Sequence, residues 1–196
     1  VVHVAKENEY LGYVILADVL RPDSKKMISD LSSLGINQTF LLTGDRKEIA
    51  DIIASEAGIQ TSFSELLPED KVEILEKILN TNKKSQLAFV GDGINDAPVL
   101  ARANVGIAMG AFGSDAAVEA ADVVIMTDDI SRLATMIKIA RKTLSIAKQN
   151  VIFALSIKGL VLILGALGFA TMWAAVFADV GVTLIAILNS MRALKL

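Results

Sequence analysis

Apolar positions in the first 130 residues fall into two patterns that alternate along the chain. Short, nearly continuous apolar runs are typical of buried strands. Between them lie segments in which apolar residues recur every three or four positions, as in amphipathic helices. Strands that alternate with helices of about ten residues predict βαβ units and an α/β fold with a mostly parallel, doubly wound sheet. The predicted strands are Gly12–Ala17, Thr39–Leu42, Gln86–Val90, Val105–Met109 and Asp122–Met126.

Start and stop signals place helices between these strands. A helix opens at Arg21-Pro22-Asp23 and ends before Gly35, and further helices are predicted over Lys47–Ala57, Pro68–Leu79 and Ser114–Ala121. Ligands of doubly wound sheets bind beyond the carboxyl ends of the strands. The residues that directly follow strands are therefore the first candidates for a functional site.

The pattern changes after Lys148, because charged residues almost disappear. The next 43 residues include only Lys158 and Asp179 as charged side chains. A helix needs about 20 apolar residues to cross the hydrocarbon of a membrane, so this segment predicts two crossings joined by a glycine-containing turn. The alternative is a buried helical hairpin in a soluble protein, although few such hairpins are apolar on every face. The predicted spans are Asn150–Ala170 and Met172–Asn189.

Composition and charge agree with two regions of different character. Of the 196 residues, 53% are hydrophobic, and the mean hydropathy of +0.53 exceeds what a soluble domain needs. Residues 1–148 hold 16 Lys and Arg against 21 Asp and Glu, a net charge of −5, which argues against nucleic acid as a partner. Residues 149–196 carry a net charge of +2, and the sequence contains no cysteine, which excludes disulfides and thiolate metal sites within it.

Basic residues flank the apolar segment on both sides. The positive-inside rule therefore predicts a multi-pass protein of the cell membrane, in contact with membrane lipid, with the α/β part and both ends in the cytoplasm.

The strand that ends at Val90 is followed by the sequence Gly91-Asp92-Gly93-Ile94-Asn95-Asp96. Glycine allows a sharp turn and a close approach of the backbone to a ligand. Asp92 and Asp96 supply hard oxygen ligands, which Mg²⁺ prefers beside water and phosphate oxygens, and Asn95 is placed to support them. The motif predicts a site for Mg²⁺ and phosphate. An ordinary turn rich in Gly, Asn and Asp is the alternative.

Thr43, Gly44 and Asp45 follow the second predicted strand. Phosphoryl transfer needs backbone donors and positive charge around the phosphate. Thr43 offers a hydroxyl, Gly44 offers a backbone amide, and Lys71 near the start of the third helix is a point charge that can reach an anion. Taken separately, Lys71 is typical of a solvated helix residue and the Thr43–Asp45 segment of a plain turn. Their order relative to the aspartate motif favours one common site.

Lys158 and Asp179 are the charged residues of the two apolar spans. A charge near the middle of a bilayer costs at least about 2.5–3.5 kcal/mol on insertion scales, so it usually faces a partner or a polar pathway. Lys158 lies roughly 12 residues before the turn and Asp179 roughly 8 after it, so antiparallel packing offsets them by about one helical turn, within reach of a lysine side chain. The pair is either structural and fixes the helix register, or part of a transport site in which Asp179 binds a cation and Lys158 is the charge partner.

These motifs together resemble the phosphorylation domain of P-type ATPases, within the haloacid dehalogenase superfamily. The resemblance implies a Rossmann-like parallel sheet of the haloacid dehalogenase type and ATP as substrate. It also implies that Thr43 and Lys71 contact the phosphoryl group and that Asp92, with Asp96 close by, binds Mg²⁺. The motifs that carry it, in this order before the membrane helices, are Thr43-Gly44-Asp45, Pro68-Glu69-Asp70-Lys71 and Gly91-Asp92-Gly93-Ile94-Asn95-Asp96-Ala97-Pro98.

The apolar segment is similar to the last two membrane helices of heavy-metal pumps. A lysine in the first helix and an Asp-x-Gly in the second resemble the zinc, cadmium and lead exporters, and the Tyr-Asn and Met-Ser-Ser patterns expected of copper pumps are absent from the sequence. The resemblance implies that Asp179 binds the transported divalent heavy-metal ion with Lys158 as its charge partner. The matching segments are Ser156-Ile157-Lys158-Gly159, Trp173–Gly181 and Asn189-Ser190-Met191-Arg192.

The sequence lacks the D-K-T-G-T motif whose aspartate P-type ATPases phosphorylate, and Asp18 is not followed by the threonine and glycine of that motif. The chain is therefore expected to be the C-terminal part of a pump that is inactive without its missing N-terminal part. One alternative is a membrane-anchored phosphatase-like or regulatory module in which the hairpin is only an anchor. Another is a cation pump outside the heavy-metal branch.

The expected organisation has five parts, with a linking helix from Ile130 to Asn150 that joins the α/β part to the membrane. Residues 1–11 are the return from a nucleotide-binding domain, 12–130 part of the phosphorylation domain, 131–149 the linking helix, 150–191 the two membrane helices and 192–196 a cytoplasmic tail.

Overall fold

A computed structural model describes residues 2–7, 9–14, 19–81, 85–91, 94–110, 115–169 and 171–194 of the chain. The chain divides into two compact units, Val1–Arg132 and Leu133–Leu196. The first unit contains strands and short helices, and the described residues of the second form helices and the turn between them.

Three groups of paired strands form the sheets of the first unit. Five of the seven strands found in the described residues pair in parallel, which confirms the predicted α/β fold. The antiparallel pair is β1 (Val2–Lys6) with β2 (Glu9–Val14), the first parallel group is β3 (Phe40–Leu42) with β4 (Thr61–Phe63), and the second, in spatial order, is β5 (Ala88–Gly91), β6 (Val105–Met109) and β7 (Val123–Ile125).

The strand predicted over Gly12–Ala17 is wrong in its start and in its pairing. The strand begins at Glu9 and pairs antiparallel with β1, whereas residues 15–18 lie outside the described part of the chain. The chain reverses next to Glu7, which has a φ of 48°. A tight reversal lets two consecutive strands pair directly, without the helical crossover that a parallel pair needs. β4 was missed because Thr61–Phe63 is short and half polar.

Five α-helices lie in the described residues of the first unit, four of them at or close to their predicted positions, whereas the helix Ala97–Arg102 was not predicted. The predicted helix Lys47–Ala57 is confirmed at both ends, because Gly58 with a φ of 80° supplies the left-handed residue that ends a helix. The helices are α1 (Ser24–Ser33), α2 (Lys47–Ala57), α3 (Pro68–Thr81), α4 (Ala97–Arg102) and α5 (Asp115–Ala120).

The core of the first unit lies between α4 and β6. Leu100 of α4 is fully buried against Ala108 of β6 and Ala117 of α5. A Cβ at Gly106 would lie 2.5 Å from the backbone oxygen of Leu100, so the strand can pass under α4 only without a side chain there. This close approach fixes the start of α4 and therefore the position of Asp96, the residue before it.

The second unit is a helical hairpin. Helix α6 (Arg132–Ala166) is continuous past Asn150, as the linking helix predicts, and the chain turns at Gly168, which has a φ of 80°. The hydroxyl of Thr171 accepts a hydrogen bond from the backbone amide of Ala174 and so caps the returning helix. That helix consists of α7 (Met172–Val176), a π-helical turn (Phe177–Gly181), α8 (Val182–Ser190) and a final 3₁₀ turn (Met191–Leu194).

Both helices of the hairpin are long and apolar enough to cross a membrane. None of the most apolar stretch of Arg132–Ala166 and only 11% of that of Met172–Leu194 is buried within the described chain. A helical hairpin in the core of a soluble protein would be mostly buried. The observed exposure favours the predicted membrane spans over that alternative.

Candidate functional site

The turn after β3 is closed by its own polar groups. The hydroxyl of Thr43 donates a hydrogen bond to Asp45 Oδ2 at 2.7 Å and accepts one from the backbone amide of Asp45 at 3.1 Å. Asp45 therefore holds the Thr43 hydroxyl at the carboxyl end of a parallel strand. Gly44 between them is exposed, which leaves its backbone open to a ligand.

Backbone hydrogen bonds tie this turn to the segment that leads into α3. Leu66 donates its amide to the carbonyl of Thr43, and Glu65 donates its amide to the carbonyl of Asp45. Glu65 has a φ of 57°, a backbone conformation that non-glycine residues adopt mainly where the surroundings impose it. A Cβ at Gly44 would lie 3.3 Å from the carbonyl oxygen of Leu66, so the two segments are in close contact. The turn after β3 and the start of α3 thus form one connected structure.

Lys71 projects from the first turn of α3 to Asp96. Lys71 Nζ lies 2.8 Å from Asp96 Oδ1, and the two side chains are only 16% and 14% exposed. Removal of one member of a buried ion pair leaves an uncompensated charge, so each residue depends on the other. The sequence analysis placed both residues in one site without pairing them, and the structure joins them.

Gly91, the last residue of β5, leaves room for the Asp96 carboxylate. A Cβ at Gly91 would lie 2.8 Å from Asp96 Oδ2 and 2.9 Å from Asp96 Cβ, both shorter than ordinary contacts. The sequence suggested a role for this glycine in backbone freedom, but its φ is not positive. The structure therefore requires a residue without a side chain at this position. The requirement follows from the position of Asp96 and is not visible in the sequence.

A cavity of about 250 Å³ opens beside Asp96 at the carboxyl ends of β5 and β6. The guanidinium of Arg21 donates a hydrogen bond to the backbone oxygen of Asp128 on its wall. The sequence analysis missed both Arg21 and Asp128 as parts of this site, because nothing local in the sequence links residues so far apart. The residues that line the cavity are Arg21, Val90, Gly91, Asp96, Met109, Asp128 and Ile130.

The predicted magnesium residues are only partly described. Asp92 lies outside the described residues, and Asn95 is exposed in the 3₁₀ turn Ile94–Asp96. In the part of the chain that is described, no three His, Asp or Glu side chains form a cluster that could hold a metal. Mg²⁺ needs only one or two protein carboxylates when waters and phosphate oxygens complete its shell. Asp96 at the edge of the cavity fits that requirement.

The loop after β7 leads directly into α6 through Asp129. Asp129 Oδ1 accepts a hydrogen bond from the backbone amide of Ser131 at 2.9 Å, and Arg132 Nε lies 3.3 Å from Asp129 Oδ2. Hydrogen bonds from the Ser131 side chain, then from its backbone amide, lower the pKa of Asp129, and the charge of Arg132 adds to this effect. A carboxylate at this position also interacts favourably with the positive end of the helix dipole.

Lys158 and Asp179 form a second ion pair, within the helical hairpin. Lys158 Nζ lies 3.0 Å from Asp179 Oδ1, so the pairing predicted from antiparallel packing is confirmed. The two side chains are 52% and 75% exposed within the chain, and exposed apolar residues such as Leu155, Leu160 and Val180 lie near them on the same helices. The role of the pair in metal binding stays a prediction.

Asp179 lies in the middle of the π-helical turn Phe177–Gly181. The Thr183 hydroxyl donates to the Asp179 carbonyl at 2.7 Å, which satisfies a backbone oxygen at this irregular turn. A Cβ at Gly181 would lie 2.7 Å from Cδ2 of the Phe177 ring, so the turn needs glycine at this position. Single π-helical turns inside α-helices occur frequently at functional sites.

Comparison with known proteins shows similarity over the whole chain. The haloacid dehalogenase-like hydrolase family matches residues 1–104. The "Zinc-transporting ATPase" of Synechocystis sp. is 53% identical over 195 residues, which are 100% of this chain and 27% of the relative. The "Cadmium, zinc and cobalt-transporting ATPase" of Bacillus subtilis is 54% identical over 199 residues, 100% of this chain and 28% of the relative.

A solved structure is similar to the fold of both units. The crystal structure of a zinc-transporting PIB-type ATPase in the E2.Pi state has a TM-score of 0.84 and 41% sequence identity. It covers 98% of this chain, which in turn covers 31% of that chain. This chain therefore spans about a quarter to a third of the length of the proteins that it matches.

Proposed function

The chain belongs to the haloacid dehalogenase-like hydrolase family, and we propose that it is the C-terminal part of an ATP-driven exporter of Zn²⁺ or Cd²⁺, with Pb²⁺ as a further candidate cargo. Its resemblance to heavy-metal P-type ATPases, predicted from the motifs, is confirmed by the zinc- and cadmium-transporting relatives. In the whole pump, phosphorylation of an aspartate outside this sequence would drive transport of the metal across the membrane.

The observation that carries this proposal is the Lys158–Asp179 pair in an apolar hairpin on the same chain as the Lys71–Asp96 pair. Charges inside a membrane are expensive and usually mark an ion pathway. A hairpin that only anchors a phosphatase-like domain needs neither residue. A carboxylate oxygen is a suitable ligand for a divalent cation, and a lysine beside it neutralises the acid when no cation is bound.

In the phosphate pocket, each described residue has a role that its chemistry supports. The Thr43 hydroxyl and the Gly44 amide would donate hydrogen bonds to the phosphoryl oxygens, and Asp45 would orient the hydroxyl. Lys71 would neutralise the negative charge that phosphoryl transfer spreads over these oxygens. The Lys71–Asp96 pair keeps the ammonium group in place before phosphate arrives.

Mg²⁺ is the ion that the carboxylate motif suits, and ATP is the expected source of the phosphoryl group. Asp96 and Asp92 would hold Mg²⁺, with Asn95 in support. Bound there, Mg²⁺ would neutralise phosphate charge. Lys71 would share Asp96 with that ion, so one ammonium group and one metal ion would both lie beside the phosphoryl group.

The proposed orientation places the first unit and both chain ends in the cytoplasm, because basic residues flank the hairpin on that side. Helix α6 would be the mechanical link between the two activities. It begins at Arg132, directly after the loop that lines the cavity beside Asp96, and continues without a break past Lys158. The rest of the pump and membrane lipid are the proposed partners of this chain.

The test is Zn²⁺-stimulated ATP hydrolysis and Zn²⁺ efflux by the full-length parent protein that carries Asp179→Ala. Both activities are expected to fall to background. The matched control is Val180→Ala, which shortens a neighbouring exposed side chain without removing a charge. Unchanged efflux in Asp179→Ala would contradict the proposal and favour a membrane-anchored regulatory or phosphatase-like module.

A further inference from the structure

The hairpin contains a polar cluster that the proposed function does not use. Asn150 of α6 contacts the returning helix through both polar atoms of its amide. Its Nδ2 lies 3.2 Å from the backbone oxygen of Ala186 and 2.9 Å from Ser190 Oγ, and its Oδ1 accepts a hydrogen bond from Asn189 Nδ2 at 2.8 Å. We call Asn150, Ala186, Asn189 and Ser190 the amide clamp.

The amide clamp is fully hydrogen bonded, which fixes its geometry. Arg192 Nη1 donates to Asn189 Oδ1 at 2.9 Å, so both polar atoms of each asparagine side chain have a partner. Ser190 Oγ also donates to the Ala186 carbonyl at 2.9 Å. Hydrogen bonds are directional, whereas the apolar contacts elsewhere between these helices are not. In a membrane, where lipid tails are as apolar as leucine, hydrogen bonds of this kind set how two helices fit together.

The clamp and the ion pair belong to one helix register. Asn150 lies eight residues before Lys158 on α6, which is about two helical turns and places both on one face about 12 Å apart. On the returning helix, Ala186 and Ser190 lie seven and eleven residues after Asp179, and the observed contacts place all three against α6. Two antiparallel helices keep such matched spacings only in a single register, and a slip of one turn would break both contacts together.

We propose that the amide clamp is a positioning device that sets the register of α6 against α8 and thereby holds Lys158 opposite Asp179. The inference rests on the proposed function, in which Asp179 binds the transported cation. Lys158 opposes that cation, because an ammonium group and a metal ion compete for one carboxylate. When the clamp is lost, the register relaxes, Lys158 leaves Asp179 more often, and the cation is held more tightly and released more slowly.

The experiment measures Zn²⁺-stimulated ATP hydrolysis of the full-length parent protein as a function of Zn²⁺ concentration. Asn150→Leu removes the amide but keeps a side chain of similar size that suits the membrane. The half-saturating Zn²⁺ concentration is expected to fall about threefold to tenfold, the range that interhelical hydrogen bonds in membranes support, and the maximal rate is expected to fall with it. The control is Gln149→Leu, which removes a neighbouring exposed amide outside the clamp. A purely structural loss would lower the maximal rate and leave the half-saturating concentration unchanged.

The same substitution in a Lys158→Met background separates positioning from general stability. If Asn150 acts through Lys158, Asn150→Leu then shifts the half-saturating concentration by less than about twofold, because the coupling of the two sites is lost. An equal shift in both backgrounds would overturn the inference. So would an Asn150→Leu protein with the same half-saturating concentration as the Gln149→Leu control.

Two further variants keep the outcomes distinct. Ser190→Ala removes one acceptor of the clamp and is used where Asn150→Leu does not yield folded protein. It should give a smaller shift in the same direction, and no shift would overturn the inference.

Asp179→Ala tests the proposed function separately. If Asp179→Ala abolishes stimulation while the clamp variants match the control, only the clamp inference fails. If Asp179→Ala retains stimulation, the proposed function fails and the inference with it.

Discussion

The two units of the chain each contain a lysine–aspartate ion pair of nearly the same length. Lys71 lies 2.8 Å from Asp96 in the first unit, and Lys158 lies 3.0 Å from Asp179 in the hairpin. The first pair is enclosed by the protein that surrounds it. The second is exposed to whatever covers the hairpin. The same two residue types therefore form one pair that is shielded from solvent and one pair that is exposed.

The surroundings decide how strong each pair is. In water an exposed ion pair stabilises a protein by about 0–1 kcal/mol, and salt screens it further. The Lys71–Asp96 pair is protected from this screening by its own unit. The Lys158–Asp179 pair gains comparable strength only in an apolar environment, where the attraction between charges rises as the dielectric constant falls. The Lys71–Asp96 pair is thus enclosed by its own unit, and the strength of the Lys158–Asp179 pair depends on what covers the hairpin.

Both acids also lie beside a glycine that cannot be replaced without a collision. At Gly91 the added Cβ would meet the Asp96 side chain, and at Gly181 it would meet the ring of Phe177. The first glycine protects the position of the acid itself. The second protects the π-helical turn that carries the acid. Three substitutions test this contrast, and a fourth tests the loop that leads into α6.

Loss of the lysine in the enclosed pair should have the largest effect. Lys71→Met removes the positive charge at the phosphate pocket and leaves Asp96 half-buried without its partner. In the full-length protein, phosphorylation from ATP should slow by about 10²–10³-fold, as for loss of one strong donor to a reacting oxyanion. Trapping of labelled phosphoenzyme in rapid-mixing experiments measures this rate. Lys71→Arg keeps the charge and should retain part of the activity, and equal losses in both variants would contradict a role for the charge.

Gly91→Ala should displace the Asp96 carboxylate without unfolding the unit. The collision is with a side chain that can move, so phosphorylation should slow by about 10–10²-fold through misplacement of a catalytic group by about 1 Å. Gly106→Ala is the contrasting variant, because its Cβ would meet the Leu100 backbone at 2.5 Å. It should lower the melting temperature far more than Gly91→Ala does. Thermal unfolding of both variants checks this order, and the reverse order would contradict the account of the two glycines.

Gly181→Ala should disturb the hairpin pair through its backbone. If the π-helical turn reverts to α-helix, the residues before it rotate by about 100° relative to α8 and Asp179 turns away from Lys158. The half-saturating Zn²⁺ concentration of the full-length protein should then change about tenfold, a shift worth about 1.4 kcal/mol. Gly159→Ala, one residue from Lys158, meets nothing within 4 Å and should leave it unchanged. Similar behaviour of the two alanine variants would argue against the π-helical turn as part of the site.

Asp129→Ala should have the smallest effect, on stability alone. Hydrogen bonds from Ser131 lower the pKa of Asp129. The ionised Asp129 side chain therefore stabilises the folded chain fully at pH values above the ordinary carboxyl pKa of about 3.9. Its contribution is lost as the pH falls through the lowered pKa of the folded state. The melting temperature of the variant should lie slightly below that of the wild type at neutral pH, and the difference should vanish in acid. A difference that grows in acid would contradict this sign.

The sequence predicted those parts of the structure that depend on local signals. Helix α2 was placed at both ends because Gly58 ends it, and β6 was placed at both ends because five apolar residues form one buried run. The offset of Lys158 and Asp179 followed from helix geometry alone. The β1–β2 pairing was missed because no strand was predicted before Gly12, and the short strand β4 has too little pattern to detect.

The candidate sites were predicted as sets of residues but not as contacts. The motifs favoured one common site for Thr43, Lys71 and Asp96, and the structure pairs Lys71 with Asp96, yet the need for an absent side chain at Gly91 depends on three-dimensional proximity. Arg21 and Asp128 form a hydrogen bond although they are 107 residues apart in the sequence, and no spacing rule predicts such a contact. Asn150 carried a detectable signal, since an amide at the edge of an apolar span usually has a partner, but the partner could be found only from the packed helices.

The most direct test of the link between the two ion pairs is the Zn²⁺ dependence of phosphorylation. Labelled phosphoenzyme is trapped from ATP at increasing Zn²⁺ in the full-length protein, with and without Asp179→Ala. We expect the label to rise with Zn²⁺ in the wild type and to stay at background in the variant, while both proteins accept label equally from inorganic phosphate. A Zn²⁺-dependent rise in Asp179→Ala equal to that of the wild type would contradict the coupling of the hairpin acid to the phosphate site.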